Sequence, residues 1–207
     1  MPTPRQTPRI CDHPIHPQFI QRWSARAFSG EVLTRDQLFT FLEAARWAPS
    51  ASNHQPWHFV YALRDSAHWA PLFETLVPFN QSWAVHASAL VAVVSARTIE
   101  TPGPSQGQPN AWHAFDSGAA WYSLALQASL SGWVAHAMGG FDETRLRAVL
   151  GLTQDHAVHA LVALGRPGDP SGLPVALQER ERPNGRRPLA ESVHEGRLGG
   201  RLGPVAD

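Results

Sequence analysis

Apolar residues change their spacing several times along this chain, and each spacing predicts an element. Leu38, Phe41, Leu42 and Ala45 recur at helical intervals behind Thr34 and Gln37, which have the spacing of a capping box. That helix is expected to stop by Ala48, because Pro49 disfavours a helical residue before it. Phe19, Ile20 and Trp23 predict a shorter helix over residues 16–23. Phe59, Val60 and Tyr61 suit a pleated surface and predict a strand over residues 58–63. A helix over 66–77 is expected to run into a loop at 78–81. The continuous apolar runs at 88–96 and 157–165 read as buried strands. Residues 114–130 are small and apolar nearly all round, which predicts a helix inside a core or an interface, ended near Gly132. Residues 134–138 read as a short strand or loop, and Asp142 caps a helix that Gly151 stops after Leu150. Residues 101–111, rich in Pro, Gly and Gln, read as a loop.

The mixture of helices and strands, with no repeat and no internal boundary, predicts one α+β domain over residues 16–195. A Pro-rich arm (1–15) and a Gly-rich tail (196–207) are expected to be flexible. The 207 residues suffice for one sizeable core. Charged residues make up 16%, a sparse share that hints at a covered surface. Lys+Arg and Asp+Glu balance at 17 each, which argues against nucleic acid or an anionic membrane as partner. Cys11 is the single cysteine, so no intramolecular disulfide forms. No apolar run is long enough to span a bilayer, and the Pro-rich N-terminus does not read as a signal peptide, so a cytoplasmic location is expected.

Four constellations carry possible chemistry. In Arg22-Trp23-Ser24-Ala25-Arg26 two guanidiniums flank a hydroxyl at alternate positions, which face the same way in an extended segment. Arg suits phosphate because its planar fork donates two parallel hydrogen bonds. Taken alone, a solvated basic turn is the simpler reading. The segment from Pro49 to Trp57 holds Ser50, Ser52, Asn53, His54 and Gln55, whose amides and hydroxyls match the polar edge of a heterocycle, or form a polar turn beside a buried Trp57. Gly139-Gly140 lets backbone approach a flat ligand, or simply turns before a helix. Arg186-Arg187 again suits phosphate, or is surface charge.

Other chemistries lack their signatures. There is no GxGxxG after a strand, no GxxxxGK[ST] and no GxSxG. His54 and His58 have the separation of a helical zinc pair, but Pro56 lies between them, and no metal is expected. His156 and His159 show no ligand spacing.

Taken in order, the pieces resemble the FMN-dependent nitroreductase family. RWSARAF resembles the family's Arg-x-Ser-x-Arg/Lys-x-Phe opening. LFTFLEAARWAPSASNHQPWHFVYA resembles its Ala-Pro-Ser…Asn-x-Gln-Pro-Trp segment. Phe79-Asn80 with Trp83 before SALVAVVSA, then DSGAAWYSLALQASLSGW, GGFD, ALGRPG and RRPLAES complete the order over residues 16–195.

The resemblance implies a mixed, mostly antiparallel sheet flanked by helices, and an intertwined homodimer with FMN at its interface. It implies that Arg22, Ser24 and Arg186, with Arg187, hold the FMN phosphate. Arg26 is expected beside the N1 and C2 carbonyl of the ring, where a cation stabilises charge arriving on reduction. Asn80 is assigned to the pyrimidine edge, and the N–H groups of Gly139 and Gly140 to N5 and O4. Ser50, Ser52 and Asn53, with Gln55 of the same segment, are assigned to the flavin of the other subunit. No side chain is expected to be catalytic, since the cofactor carries the chemistry. The implied activity is ping-pong hydride transfer from NAD(P)H to nitroaromatic, quinone or related conjugated acceptors. The same fold also serves dehalogenation, enal reduction, flavin breakdown or flavin binding without turnover. Trp23, Trp83 and Asn184 depart from cations found in some members, and residues 101–113, with Trp112 and His113, are expected to cover the acceptor pocket.

Overall fold

Two of the predicted elements set the frame. The computed structural model describes residues 9–200. In it strands β2 (Ala89–Ala96) and β4 (His156–Gly165) lie side by side at the centre of a four-stranded sheet. β1 (Trp57–Leu63) flanks β2, and β3 (Val134–Met138) flanks β4. All three pairings are antiparallel, with an irregularity between Val93 and Val94. All eight residues of β2 are buried, as their unbroken apolar run predicts.

Alternation along these strands divides the core in two. Leu90, Ala92, Val94, Leu161 and Ala163 point to a layer containing α3 (Trp69–Phe73), α4 (Pro78–Ala84) and α6 (Glu143–Leu150). Val91, Val93, Val162 and Leu164 point the other way, onto α2 (Arg35–Arg46) and α5 (His113–Leu130). The sheet is therefore buried on both faces, which is the α+β layering the sequence predicts.

Several helix ends form as their chemistry dictates. The capping box is complete: Gln37 N–H donates to Thr34 Oγ1 at 3.2 Å and Thr34 N–H donates to Gln37 Oε1 at 2.9 Å. Asp142 accepts from Arg145 N–H at 3.0 Å, and Gly151 ends α6 with φ 65°.

Two expectations fail nearby. The helix over 66–77 contracts to Trp69–Phe73, and the loop at 78–81 is instead the start of α4. The second follows from Pro78, which also bars any helix from continuing through residue 77. The residue before proline is pushed to extended backbone, and Val77 has ψ 152°, so no helix passes through it. Proline is then well placed at the first helical position, where its missing N–H is no loss. Beyond β4 a short helix α7 (Val175–Gln178) forms and buries Leu177. Four residues are too few for periodicity to reveal.

The segment after α1 (Pro17–Gln21) is extended and leads to Phe28, which bridges Pro167. Ala27 O accepts from Gly168 N–H at 2.8 Å, and Ser29 N–H donates to Arg166 O at 3.0 Å. A Cβ on Gly168 would lie 2.4 Å from the Phe28 carbonyl carbon, so this close approach requires glycine. ALGRPG is thus a docking surface for RWSARAF. The expected arm and tail fall partly outside the described residues. Within them, Arg9 NH1 donates to the carbonyls of Ile20 and Arg22, and Asp12 Oδ2 accepts from Leu189 N–H at 2.7 Å.

Candidate functional site

The candidate residues fall into three groups. The first is the extended segment after α1 together with the chain near residue 186. Arg22 lies beside Arg9, whose pKa is lowered by burial and then by repulsion from Arg186 and Arg22. Cations from both ends of the described chain therefore gather in one place. Among the described residues no carboxylate lies within ion-pair distance of Arg9, Arg22 or Arg186. A cavity of about 600 Å³ opens beside them, lined by Arg9, Phe19, Ile20 and Arg186. Arg187 also lines it, but its side chain is 78% exposed and faces Glu191 at 3.9 Å.

Arg26, on the same segment, has different company. Glu181 Oε1 accepts from the N–H groups of Arg26 and Ala27, at 2.6 and 2.8 Å. Its Oε2 lies 3.8 Å from the Arg26 guanidinium, and the Glu181 side chain is only 1% exposed. The guanidinium also lies over the buried Trp83 ring, 5.9 Å from its centroid. His136 packs on Trp83 from β3, with centroids 4.6 Å apart, and its Nδ1–H donates to Ala25 O at 3.0 Å. Burial, aided by Arg26 and Arg22 and opposed by backbone hydrogen bonds, pushes the His136 pKa down to about 4. A neutral imidazole donating through Nδ1 follows.

The second group joins Asn80 to the paired glycines. Asn80, buried on α4, donates through Nδ2 to Gly140 O at 2.9 Å. Gly140 O also accepts from Val77 N–H, and Leu76 bridges Phe141. A Cβ on Gly140 would stand 2.7 Å from Asn80 Nδ2. A larger residue there would have to displace the Asn80 amide from its bond to Gly140 O. The asparagine keeps Oδ1 as an acceptor.

The third group, Ser50 to Gln55, is a strained polar turn between α2 and β1. Ser52, Asn53 and Gln55 have φ of 49°, 56° and 49°. Such left-handed conformations cost of order 1–3 kcal/mol each in non-glycine residues and concentrate at ligand sites. Local bonds hold the turn: Gln55 N–H donates to Ser50 Oγ at 3.0 Å, and Ala51 N–H donates to Asp116 on α5 at 3.1 Å. Among the described residues, no hydrogen bond joins this turn to Asn80 or to the arginines. It sits with α2 and α5, across the sheet from α4.

Glu181, His136 and Arg9 escape sequence reasoning. Glu181 stands in the alternating run Glu179-Arg180-Glu181-Arg182, which reads as solvated surface. The same is true of Ser95, which lies 2.7 Å from both His113 Nδ1 and His159 Nε2 and ties the start of α5 to the sheet.

The sequence-predicted residues thus form a cation cluster, a buried asparagine–glycine contact and, across the sheet from that contact, a strained polar turn. The sequence profile of the Nitroreductase family matches residues 20–166. The chain belongs to that family. It is similar to a solved structure described as an oxidoreductase containing FMN, at 47% identity and a TM-score of 0.88, covering 93% of this chain and 97% of that one. It is 30% identical over 174 residues to a protein named NADH dehydrogenase from Thermus thermophilus, covering 72% of this chain and 85% of that protein. A nitroreductase family protein from Streptococcus pneumoniae shares the fold, with a TM-score of 0.68 at 18% identity, over 86% of this chain and 98% of its own. No helix among the described residues is long and apolar enough to cross a membrane.

Proposed function

We propose that this protein is a homodimeric, FMN-dependent oxidoreductase that takes electrons from NADH or NADPH and reduces nitroaromatic, quinone or related conjugated acceptors. The observation that carries this reading is the gathering of Arg22 and Arg186 at Arg9, with no carboxylate among the described residues within ion-pair distance of the three. Repelling guanidiniums call for an anion, and a phosphate monoester fits because its oxygens accept paired bonds from planar forks. Arg22 and Arg186 are the assigned phosphate holders, with Ser24 beside them and Arg187 at the margin.

Asn80 Oδ1 remains to accept from the imide edge of the isoalloxazine, and Gly139 and Gly140 supply backbone N–H groups to the hydride-accepting side. Arg26 sets a fixed charge on the N1 side, and Glu181 anchors it by gripping its backbone and facing its guanidinium. Bound FMN supplies the redox chemistry, so hydride passes from nicotinamide to acceptor in two half-reactions and ping-pong kinetics are expected. The chain's own work is to bind, orient and tune.

Ser50, Ser52, Asn53 and Gln55 lie across the sheet from Asn80 and are assigned to the flavin bound mainly by a second copy. What supports a dimer is the exposure of apolar side chains along α5: Trp112 and Phe115 at its start are 58% and 74% exposed, and Tyr122 and Leu130 further along it are exposed as well.

The test is direct. The purified protein titrated with FMN should turn yellow, retain one flavin per chain and sediment at twice the chain mass. Anaerobic NADH or NADPH should bleach it, and a nitroaromatic or quinone should restore the colour. A chain that stays colourless after FMN addition overturns the reading. Arg26→Ala should lower the flavin midpoint potential, and an unshifted potential would remove Arg26 from the ring.

A further inference from the structure

His58, Glu100 and His156 come from three separate segments and meet at the end of the sheet away from the candidate site's arginines. β2 brings the two histidines together. His58 on β1 is the partner of Val94, and His156 at the start of β4 is the partner of Ala96. Val94 and Ala96 share one face of β2, so their partners present side chains on the same side. The imidazole centroids are 5.8 Å apart at 70°. Glu100 arrives from the loop after β2, whose base is fixed by the Thr98–Pro109 bridge and by Ile99 N–H donating to Gln108 O at 2.8 Å. His58 Nε2 lies 2.9 Å from Glu100 Oε2. One ligand atom from each of the three residues lies within 4.8 Å of the others.

We infer that these residues form a binding site for a zinc-class divalent cation, with two imidazoles and one carboxylate as ligands and the remaining positions left to water. The donor set suits Zn²⁺, which accepts nitrogen and oxygen ligands together and keeps open positions in three-ligand sites. The His58–Glu100 pair is already within bonding reach at 2.9 Å, and all three ligand atoms lie within 4.8 Å of one another. An outer partner is in place. Thr153 Oγ1 lies 3.0 Å from His156 Nδ1, which orients that ring and leaves Nε2 as its donor. The guanidinium of Arg147 on α6 is engaged elsewhere. It donates to the carbonyls of Thr153 and His156, at 2.5 and 3.0 Å, and faces Glu143 at 3.9 Å.

The cluster is open to solvent, with the His58 and Glu100 side chains 44% and 51% exposed, so exchange with a bulk ion is unobstructed. A bound ion would tie β1 and β4 to the stretch that leads into the segment 101–113. The inference does not depend on flavin binding, and the two fail separately.

The experiment is calorimetric titration of ZnCl₂ into the flavin-loaded protein after chelator treatment and dialysis, with Co²⁺ absorption as a check on the ligand set. One high-affinity Zn²⁺ per chain is expected. His58→Ala and Glu100→Gln should each weaken it at least about tenfold, a loss that outer-shell changes alone can produce. The double variant His58→Ala/His156→Ala should abolish it. His86→Ala, which changes a histidine outside the cluster, should leave it unchanged. Near-ultraviolet circular dichroism of each variant checks that the fold is intact. Absence of saturable uptake, or equal affinity in the parent and the folded double variant, overturns the site and leaves His58–Glu100 as a surface hydrogen bond.

Discussion

Arg22 and Arg26 leave the same short extended segment and meet opposite electrostatic environments. Arg26 is met by Glu181, a nearly inaccessible carboxylate that also accepts two backbone N–H groups of the segment. Arg22 is met by Arg9 and Arg186, with repulsion among them lowering the Arg9 pKa beyond the effect of burial. The first arrangement is complete within one chain and fixes the segment's position. The second has no carboxylate partner within ion-pair distance among the described residues, and the proposed function assigns it an external anion. Two arginines that look equivalent in a motif therefore divide the work: one is held in place and one is left available.

Removing Glu181 should break this contrast with the largest effect. Glu181→Ala leaves the Arg26 charge and two backbone donors facing a vacated interior position. Breaking such a pair costs about 3–5 kcal/mol, to be read from urea unfolding of the apoprotein. Glu181→Gln keeps one acceptor and should lose less. Equal stability of all three proteins would mean that Glu181 does not hold the segment.

Acid should erode the same region by a second route. Between pH 6.5 and about 4 the unfolded chain protonates at His136 while the folded chain resists, because burial holds its pKa down. Folding stability therefore falls as pH drops through that window, by up to roughly 3 kcal/mol for a shift of this size. His136→Gln, which can still donate to Ala25 O but does not titrate, should flatten the decline. An identical pH profile in the variant would remove His136 as its source.

The open half of the contrast is sharpened by ligand binding. Arg22→Ala should weaken FMN retention by about 1.5–3 kcal/mol, the range for a hydrogen bond to a charged group, while leaving unfolding of the apoprotein little changed. Fluorescence titration with free FMN measures it, and unaltered affinity would refute the phosphate role. Arg187→Ala should have the smallest effect, within a few-fold in FMN affinity, because its exposed side chain already faces Glu191. A loss as large as that of Arg22→Ala would put Arg187 among the principal phosphate contacts.

Much of the fold was legible in the sequence because the signals are local. Thr34 with Gln37, Asp142 with Gly151, and the unbroken apolar runs of β2 and β4 each carry their instruction within a few residues. The misreading of residues 78–81 as a loop overlooked Pro78, which holds Val77 extended and opens α4 at its first helical position. Candidate residues were legible wherever they sat in an ordered motif, as Arg22, Asn80 and Gly140 do. Glu181 was not, since a carboxylate among alternating charges gives no sign of being buried against a segment far earlier in the chain. Nor was the zinc-class cluster, because His58 and His156 acquire a relation only through a strand that lies between them.

By itself the sequence determined the family, the order of the principal strands and the caps of α2 and α6. Each depends on steric and hydrogen-bonding preferences that act over one or two turns of backbone. Tertiary structure alone decided which charges meet. Strand register across β2 set His58 against His156, and docking of residues 22–28 on the Arg166–Gly168 turn brought Arg26 to Glu181. Electrostatic interaction depends on distance through space, and distance along the chain does not report it.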